Sequence, residues 1–350
     1  MKKVVLWQFF TKKDIWLKQH IIDFINSIQQ ENKNITTVYD PFAWWWDLLN
    51  LWLTLWFSKK KWLDIDKKLK WQINDSLQNI PKIKDSFIIT NPPYLWKSSA
   101  KRRKIFNDVA IYFNNSEEDD LYKIAIEQLL LLNIPWIAII PETFINSSFI
   151  QKLEIKSKLH SITVLEDNPF TDTDIPVCVI CFNWKSKKWV NTKIYKNEKY
   201  ICDLTNLEKY KMKPLNNIKM SFNDINGKIA LIAYDWTSKT KKIHFLHTED
   251  LKYDLNNIKV SSRAISVINI DIETLSKDDY TTIIKNANTL LNNYRDNTQD
   301  ILLSPFKWNN KEWERRRRLD FKSARYILEQ SILQLKKKDM NNINIFNISL

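Results

Sequence analysis

The tetrapeptide Asn91-Pro92-Pro93-Tyr94 directly follows an apolar run, Ser86 to Thr90. Its two prolines remove two backbone donors and stiffen the loop. Their carbonyls and the Asn91 side chain then form a cluster of acceptors in fixed geometry. Such a cluster suits an amino nitrogen that donates its hydrogens while its lone pair faces an electrophile. Tyr94 adds an aromatic face on which a planar ring can stack. The same four residues could form an ordinary proline turn. Their place at the carboxyl end of a strand, after a second chemically suggestive turn, favours the functional reading.

That second turn is Asp40-Pro41-Phe42-Ala43-Trp44-Trp45-Trp46-Asp47, between a strand-like run ending at Tyr39 and a helix-like run. Strand-to-helix turns cradle ligands when glycine lets the backbone bend and approach closely. Here three tryptophans stand where glycines are expected. The anomaly is global: the 350 residues contain 1 glycine and 16 tryptophans, whereas about 25 glycines would be ordinary at this length. Trp62, Trp96 and Trp136 also occupy glycine-like places. Some genetic codes read UGA as glycine, and the Lys-, Asn- and Ile-rich composition suits an AT-rich genome. Tryptophans that stand for glycines are therefore expected, with Gly227 written by an ordinary glycine codon. Genuine tryptophans at Trp44 and Trp46 would block the turn, because each indole buries about 150–250 Å².

Two further carboxylates end or follow strand-like runs. Asp64, in Trp62-Leu63-Asp64-Ile65-Asp66, can accept both hydrogen bonds of a vicinal diol. Asp75 lies in Asn74-Asp75-Ser76-Leu77. Solvated strand-end acids are the plain alternative for both.

These residues need elements to position them. Trp16 to Gln29 reads as an amphipathic helix, with Leu17, Ile21, Phe24, Ile25 and Ile28 on one face. Strands are expected over Thr36–Asp40, Trp62–Asp66, Ser86–Thr90, Trp136–Ile140, Ser161–Leu165, Pro176–Phe182 and Asn191–Tyr195. Helices are expected over Leu48–Phe57 and Leu121–Leu132. This alternation predicts an α/β fold, a mostly parallel sheet with helices on both faces. From about Asn206 the chain turns polar and weakly periodic, which predicts a second, smaller domain. The tail from Asn341 is expected to be loosely ordered.

Net charge is +14, which favours a polyanionic partner, nucleic acid first. Two basic clusters could grip phosphates. One is Lys97, Lys101, Arg102, Arg103 and Lys104; the other is Arg315, Arg316, Arg317 and Arg318. Four consecutive arginines are not expected to face a core, so a solvated face or a phosphate clamp is predicted. Sequence choice falls to the second domain, around Ser261, Ser262 and Arg263. Cys178, Cys181 and Cys202 make no disulfide framework and suit a reducing cytoplasm. Cys178 and Cys181 read as buried strand residues, and His244 and His247 as a surface turn, so no metal is expected. No stretch reaches membrane-span length, and the first residues do not read as a signal peptide.

Taken in order, the motifs resemble those of S-adenosylmethionine-dependent DNA adenine-N6 methyltransferases whose cofactor motifs precede the catalytic motif and whose target-recognition domain comes last. Gln8-Phe9-Phe10-Thr11 resembles the family's N-terminal motif, so Gln8, Phe9 and Thr11 are implied near the methionine part of the cofactor. The turn resembles D-P-F-x-G-x-G-D, which implies cofactor contacts for Asp40, Phe42, Ala43, Trp44 and Trp46. Asp64 is implied at the ribose and Asp75 at the adenine amino group. Asn91, Pro92, Pro93 and Tyr94 match the catalytic motif, and Phe170-Thr171-Asp172 to Val177 resembles a segment that helps hold the target base. The resemblance covers about residues 4 to 182. It implies a Rossmann-like catalytic domain over 1–205 and a DNA target-recognition domain over 206–350. It also implies S-adenosylmethionine as cofactor, double-stranded DNA as partner, and a place in a restriction–modification system beside a restriction endonuclease. Two alternatives stay open: a protein-glutamine methyltransferase acting on a release factor, and a catalytically inactive nucleic-acid-binding protein with true tryptophans.

Overall fold

The structure, a computed structural model, describes residues 15–43, 48–51, 55–171, 173–185, 191–238, 242–272, 274–312 and 314–346. The chain forms two compact units, Met1–Thr205 and Asn206–Leu350.

In the first unit, helix α1 (Gln19–Glu31) buries Ile21, Phe24, Ile25 and Ile28, the stripe expected of its spacing. The Phe24 ring meets that of Phe87 at 6.2 Å. Strands β1 (Thr37–Asp40), β2 (Lys59–Asp64), β3 (Gln72–Ile73) and β4 (Ser86–Thr90) follow. After them come helices α2 (Lys97–Arg102), α3 (Phe106–Asn114) and α4 (Leu121–Leu131). Strands β5 (Trp136–Pro141), β6 (Leu159–Val164), β7 (Val177–Phe182), β8 (Lys193–Lys196) and β9 (Lys199–Asp203) complete the sheet. Its order is β3-β2-β1-β4-β5-β7-β6-β8-β9.

Strand β1 pairs in parallel with both β2 and β4, and β4 with β5, whereas β7 runs antiparallel to β5 and β6. Strands β4, β5 and β7 are buried along their whole length. Strands covered on both faces read as unbroken apolar runs, which explains Phe87-Ile88-Ile89 and Ile137 to Ile140. This is the α/β, Rossmann-like sheet that the sequence predicts. The chain leaves β1 toward β2 and β3, then crosses back to β4 on the other side of β1. Such a reversal opens a crevice beyond the carboxyl ends of the strands.

Two local expectations change. Between Leu48 and Phe57 the described residues form only a 3-10 turn, Leu48–Leu51, in place of a helix. Trp56 has φ 62°, a left-handed conformation that ends any right-handed helix. Helices α2 and α3 lie where no element was expected. Cys178 and Cys181 are fully buried on β7, as their run suggests. Burial pushes the Cys181 thiol up to about 12, the signature of an inert structural cysteine.

The second unit carries more order than its composition suggests. Strands β10 (Met220–Phe222), β11 (Ile229–Ile232), β12 (His244–His247) and β13 (Ile265–Ile270) form an antiparallel sheet in the order β10-β13-β11-β12. His244 and His247 thus lie on a strand and not on a surface turn. Helix α5 (Lys277–Thr298) begins with a capping box in which Ser276 and Asp279 bond reciprocally. A hairpin, β14 (Ser304–Asn309) and β15 (Arg315–Arg318), precedes helix α6 (Phe321–Phe346). The helix runs into the tail that was expected to be loose. Gly227 has no room for a side chain: a Cβ would stand 2.3 Å from the Ile268 carbonyl atoms on β13.

Candidate functional site

The carboxyl ends of β1, β2, β3 and β4 converge on one small pocket of ≈ 40 Å³, lined among others by Pro41, Phe42, Asp64, Ile65, Asp75, Leu77, Pro93, Val109 and Tyr112. It unites four residues singled out from sequence: Phe42, Asp64, Asp75 and Pro93. Gln8, Phe9, Thr11, Trp44, Trp46 and Asp172 lie outside the described residues.

Asp40 ends β1 and is 3% exposed. Its Oδ1 accepts from the Phe42 backbone N–H at 2.9 Å and from the Thr90 hydroxyl at 2.6 Å. The first bond shapes the turn. The second ties that turn to the residue preceding the Asn91–Tyr94 tetrapeptide. Burial pushes the Asp40 carboxyl up to about 7, opposed by those two donors and reinforced by the nearby Asp64 charge. Ala43 N–H donates to the Leu63 carbonyl at 3.0 Å, so the turn is anchored to β2 as well.

Asp64 ends β2, also 3% exposed, and its Oδ1 accepts from Asp66 N–H at 2.6 Å. One oxygen thus holds its own loop. Asn74 N–H donates to the Asp64 carbonyl at 2.9 Å, which brings the Asp75 loop alongside. Asp75 Oδ2 accepts from Gln78 Nε2 at 2.6 Å and from the Tyr112 hydroxyl at 3.0 Å.

Asn91 and Tyr94 are buried, at 8% and 4% exposure. The Tyr94 hydroxyl lies against Asn91 Oδ1 and against the Ile139 carbonyl oxygen, the latter at 2.6 Å. The open acceptor cluster expected from sequence is therefore partly closed on itself. Buried polar atoms take the nearest partner, and the stiff Pro92-Pro93 link brings residues 91 and 94 together. The Tyr94 ring packs edge-on against Tyr122 and Phe170, each 6.4 Å away, so it is not offered to solvent as a stacking face. Burial raises the Tyr94 hydroxyl well above its ordinary pKa, which keeps it a donor.

The loop is clamped from behind. Asp120 Oδ1 accepts from Leu95 N–H at 2.9 Å, and Leu121 N–H donates to the Leu95 carbonyl at 3.2 Å. Asp120 also caps helix α4. It is fully buried, and burial pushes its carboxyl up to about 7 against the two backbone donors.

The basic residues separate into two kinds. Lys101, Arg102, Arg103 and Lys104 are exposed at the end of α2, with Lys97 half-buried over the Phe113 ring. Arg315, Arg316 and Arg317 are only 8%, 8% and 1% exposed. This corrects the expectation of a solvated or phosphate-gripping arginine face. Arg316 Nε donates to the Asp235 carbonyl at 2.7 Å, and its guanidinium lies over Phe306. Asp235 N–H donates to the Arg317 carbonyl at 2.9 Å, and Arg317 N–H donates to Asp235 Oδ2 at 3.1 Å. The distant Asp235, invisible in the local run, thus holds the strand and one of its guanidiniums; only Arg318 is half-exposed.

Thr90, Asp120, Val109 and Tyr112 were not singled out from sequence. Helical spacing of Val109, Tyr112 and Phe113 signals one packed face, yet spacing cannot say that the face meets a pocket. Arg263 folds back on its own loop, donating to the Val260 and Ser262 carbonyls. Among the described residues no cluster of metal-ligating side chains occurs, and no helix is long and apolar enough to cross a membrane.

No protein-family model and no curated protein sequence matches the chain. Among solved structures, similarity is found to a Listeria monocytogenes protein assigned as a class I S-adenosylmethionine-dependent methyltransferase. There the identity is 16% and the TM-score 0.35, over 51% of this chain and 64% of that one. The methyltransferase subunit of a type I restriction-modification system from Streptococcus thermophilus is 15% identical, with TM-score 0.34 over 54% and 47% of the two chains. The type IIL restriction-modification enzyme MmeI, in complex with DNA, is 12% identical, with TM-score 0.32 over 54% and 37%. The chain spans less than two thirds of each. The fold assignment rests on the strand order and pairing described above.

Proposed function

We propose that the chain is a DNA methyltransferase that moves a methyl group from S-adenosylmethionine to N6 of an adenine extruded from duplex DNA. The observation that carries this reading is the single pocket joining Phe42, Asp64 and Asp75 to Pro93 of the N-P-P-Y loop at the topological switch point. Two carboxylates and an aromatic ring suit a nucleoside: Asp64 for ribose hydroxyls, Asp75 for an exocyclic amine, Phe42 for apolar contact. The cofactor supplies a methyl group made electrophilic by its sulfonium.

Extruding the base costs a few kcal/mol, offset by pocket contacts. Asn91 Oδ1 and the Pro92 carbonyl accept the N6 hydrogens and hold the nitrogen lone pair toward the methyl carbon. For this the Tyr94 hydroxyl must leave Asn91, which frees its ring to stack on the base. The N–C bond forms as the S–C bond breaks, and the surplus N6 proton passes to water. Placement is the main catalytic effect. Lys101, Arg102 and Arg103 beside the loop grip phosphates, and residues 206–350 choose the DNA sequence. We place the enzyme in a restriction–modification system, with an endonuclease as counterpart.

We further propose that the native polypeptide carries glycine at most of the tryptophan positions, including 44 to 46. Trp56 supports this: it is 81% exposed and holds φ 62°, a region that glycine enters freely. Trp136 supports it too, since its indole Nε1 is buried without a hydrogen-bond partner among the described residues. Mass spectrometry of the protein from its source decides the matter; tryptophan at 44 to 46 ends the proposal.

The functional test compares methyl transfer to DNA and to a release factor, using protein with the source's own residues. Transfer to DNA adenine is expected. Asn91→Ala should lower turnover by about 100-fold or more with cofactor binding retained in calorimetry. Undiminished transfer by that variant removes the catalytic assignment.

A further inference from the structure

Tyr112 lies on helix α3, beyond the catalytic loop and outside every motif singled out from sequence. It nevertheless lines the pocket, and its hydroxyl donates to Asp75 Oδ2 at 3.0 Å. Gln78 Nε2 donates to the same oxygen at 2.6 Å. The Asp75 loop is otherwise braced from within: Gln78 N–H and Asn79 N–H both donate to the Asp75 carbonyl at 3.1 Å, and Asn74 Nδ2 donates to Ser76 Oγ and the Asn79 carbonyl at 2.8 Å. Among the described residues no donor reaches Asp75 Oδ1. Oδ2 therefore takes two side-chain donors, and Asp75 itself lines the pocket.

We propose that Tyr112 is a positioning residue for base discrimination: by holding Asp75 Oδ2 it aims Oδ1 into the pocket, where it accepts from the exocyclic amine of an aminopurine nucleoside and rejects an oxopurine. An ionised carboxylate oxygen only accepts. It pairs with an amine and meets a carbonyl oxygen as a repulsive, unpaired contact. Without the Tyr112 bond the carboxylate keeps one tether from its own turn and can rotate about χ2. Burial, and then the Asp75 charge, raise the Tyr112 hydroxyl above its ordinary pKa, so the donor persists across the physiological range. This inference rests on the reading of the pocket as a nucleoside site, and deepens it.

The test is calorimetric titration of the full chain with S-adenosylhomocysteine and with its deaminated counterpart, S-inosylhomocysteine. The wild-type protein is expected to prefer the adenosyl compound by about tenfold or more. In Tyr112→Phe, which keeps the ring and its packing, that preference should shrink about fivefold, chiefly through weaker adenosyl binding. Gln78→Ala, at an exposed position, removes the other tether and should shrink the same ratio without touching the pocket wall. A Tyr112→Phe protein with the wild-type ratio overturns the proposal, as does a wild-type protein that binds both compounds equally. Binding of neither compound overturns the nucleoside reading itself, and this inference with it.

Discussion

The bond from Thr90 to Asp40 joins the two turns of the candidate site. Thr90 stands one residue before Asn91, and Asp40 shapes the turn at Phe42. Replacing the hydroxyl by a methyl, Thr90→Val, leaves the buried carboxyl with one donor fewer. That should destabilise the protein by about 1–3 kcal/mol near neutral pH, read from denaturant unfolding. Because the Thr90 donor lowers the Asp40 pKa, its loss should drive that pKa above about 7. An unchanged unfolding midpoint would show that the bond is not formed. The sequence displayed Asp40 and Asn91 plainly, each in its motif. It hid Thr90, which looks like the last residue of an apolar strand, because its partner lies fifty positions away. The burial of the arginine run was hidden for the same reason: Asp235, whose carbonyl takes the Arg316 donor, is 81 residues upstream.

Among the elements, helix α4 does more than cover the sheet. Its cap, Asp120, holds Leu95 and so fixes the exit of the Asn91–Tyr94 loop. In the folded chain burial holds the Asp120 carboxyl at about 7, above its ordinary value of 3.8. Between those values the folded state keeps a proton that the unfolded state has lost. Stability must therefore fall as pH rises from about 4 to 7, and level off above. Asp120→Asn keeps an acceptor for Leu95 and removes the titration. The variant should gain on the order of a few kcal/mol over wild type at pH 8 and little at pH 4. Equal pH profiles for the two proteins would refute the assignment. Strands β4, β5 and β7 were legible because strands buried on both faces leave unbroken apolar runs. Helices α2 and α3 were not: α2 is six residues, mostly charged or small, and α3 presents only two buried side chains.

At the scale of the whole molecule, both units bury apolar side chains, among them Ile88 and Ile137 in the first and Leu231, Val267, Leu291 and Leu328 in the second. The second adds a charge cluster, in which Arg295 bonds Asp235 at 2.7 and 2.9 Å and Asp300 through two bonds at 2.8 Å. Asp235 also accepts from Ile243 and Arg317 backbone N–H groups. Removing the cation alone strands the buried Asp235 and the half-buried Asp300. Arg295→Met should cost about 3–5 kcal/mol, seen as a lower melting temperature, whereas Arg102→Met on the exposed α2 should leave melting unchanged. Equal melting of wild type and Arg295→Met would show the cluster to be energetically idle. The polar composition of residues 206–350 concealed this organisation, since charges that look solvated in a sequence can be paired in a core.

The order β3-β2-β1-β4-β5 has a consequence for biosynthesis. Walls contributed by Phe42, Asp64 and Asp75 leave the ribosome early, but Pro93, Val109 and Tyr112 come later, and β5 must still dock on β4. A growing chain halted before α3 emerges holds Phe42, Asp64, Asp75 and Pro93 but lacks Val109 and Tyr112 of the opposite wall. Completion of the pocket is thus an event of late translation.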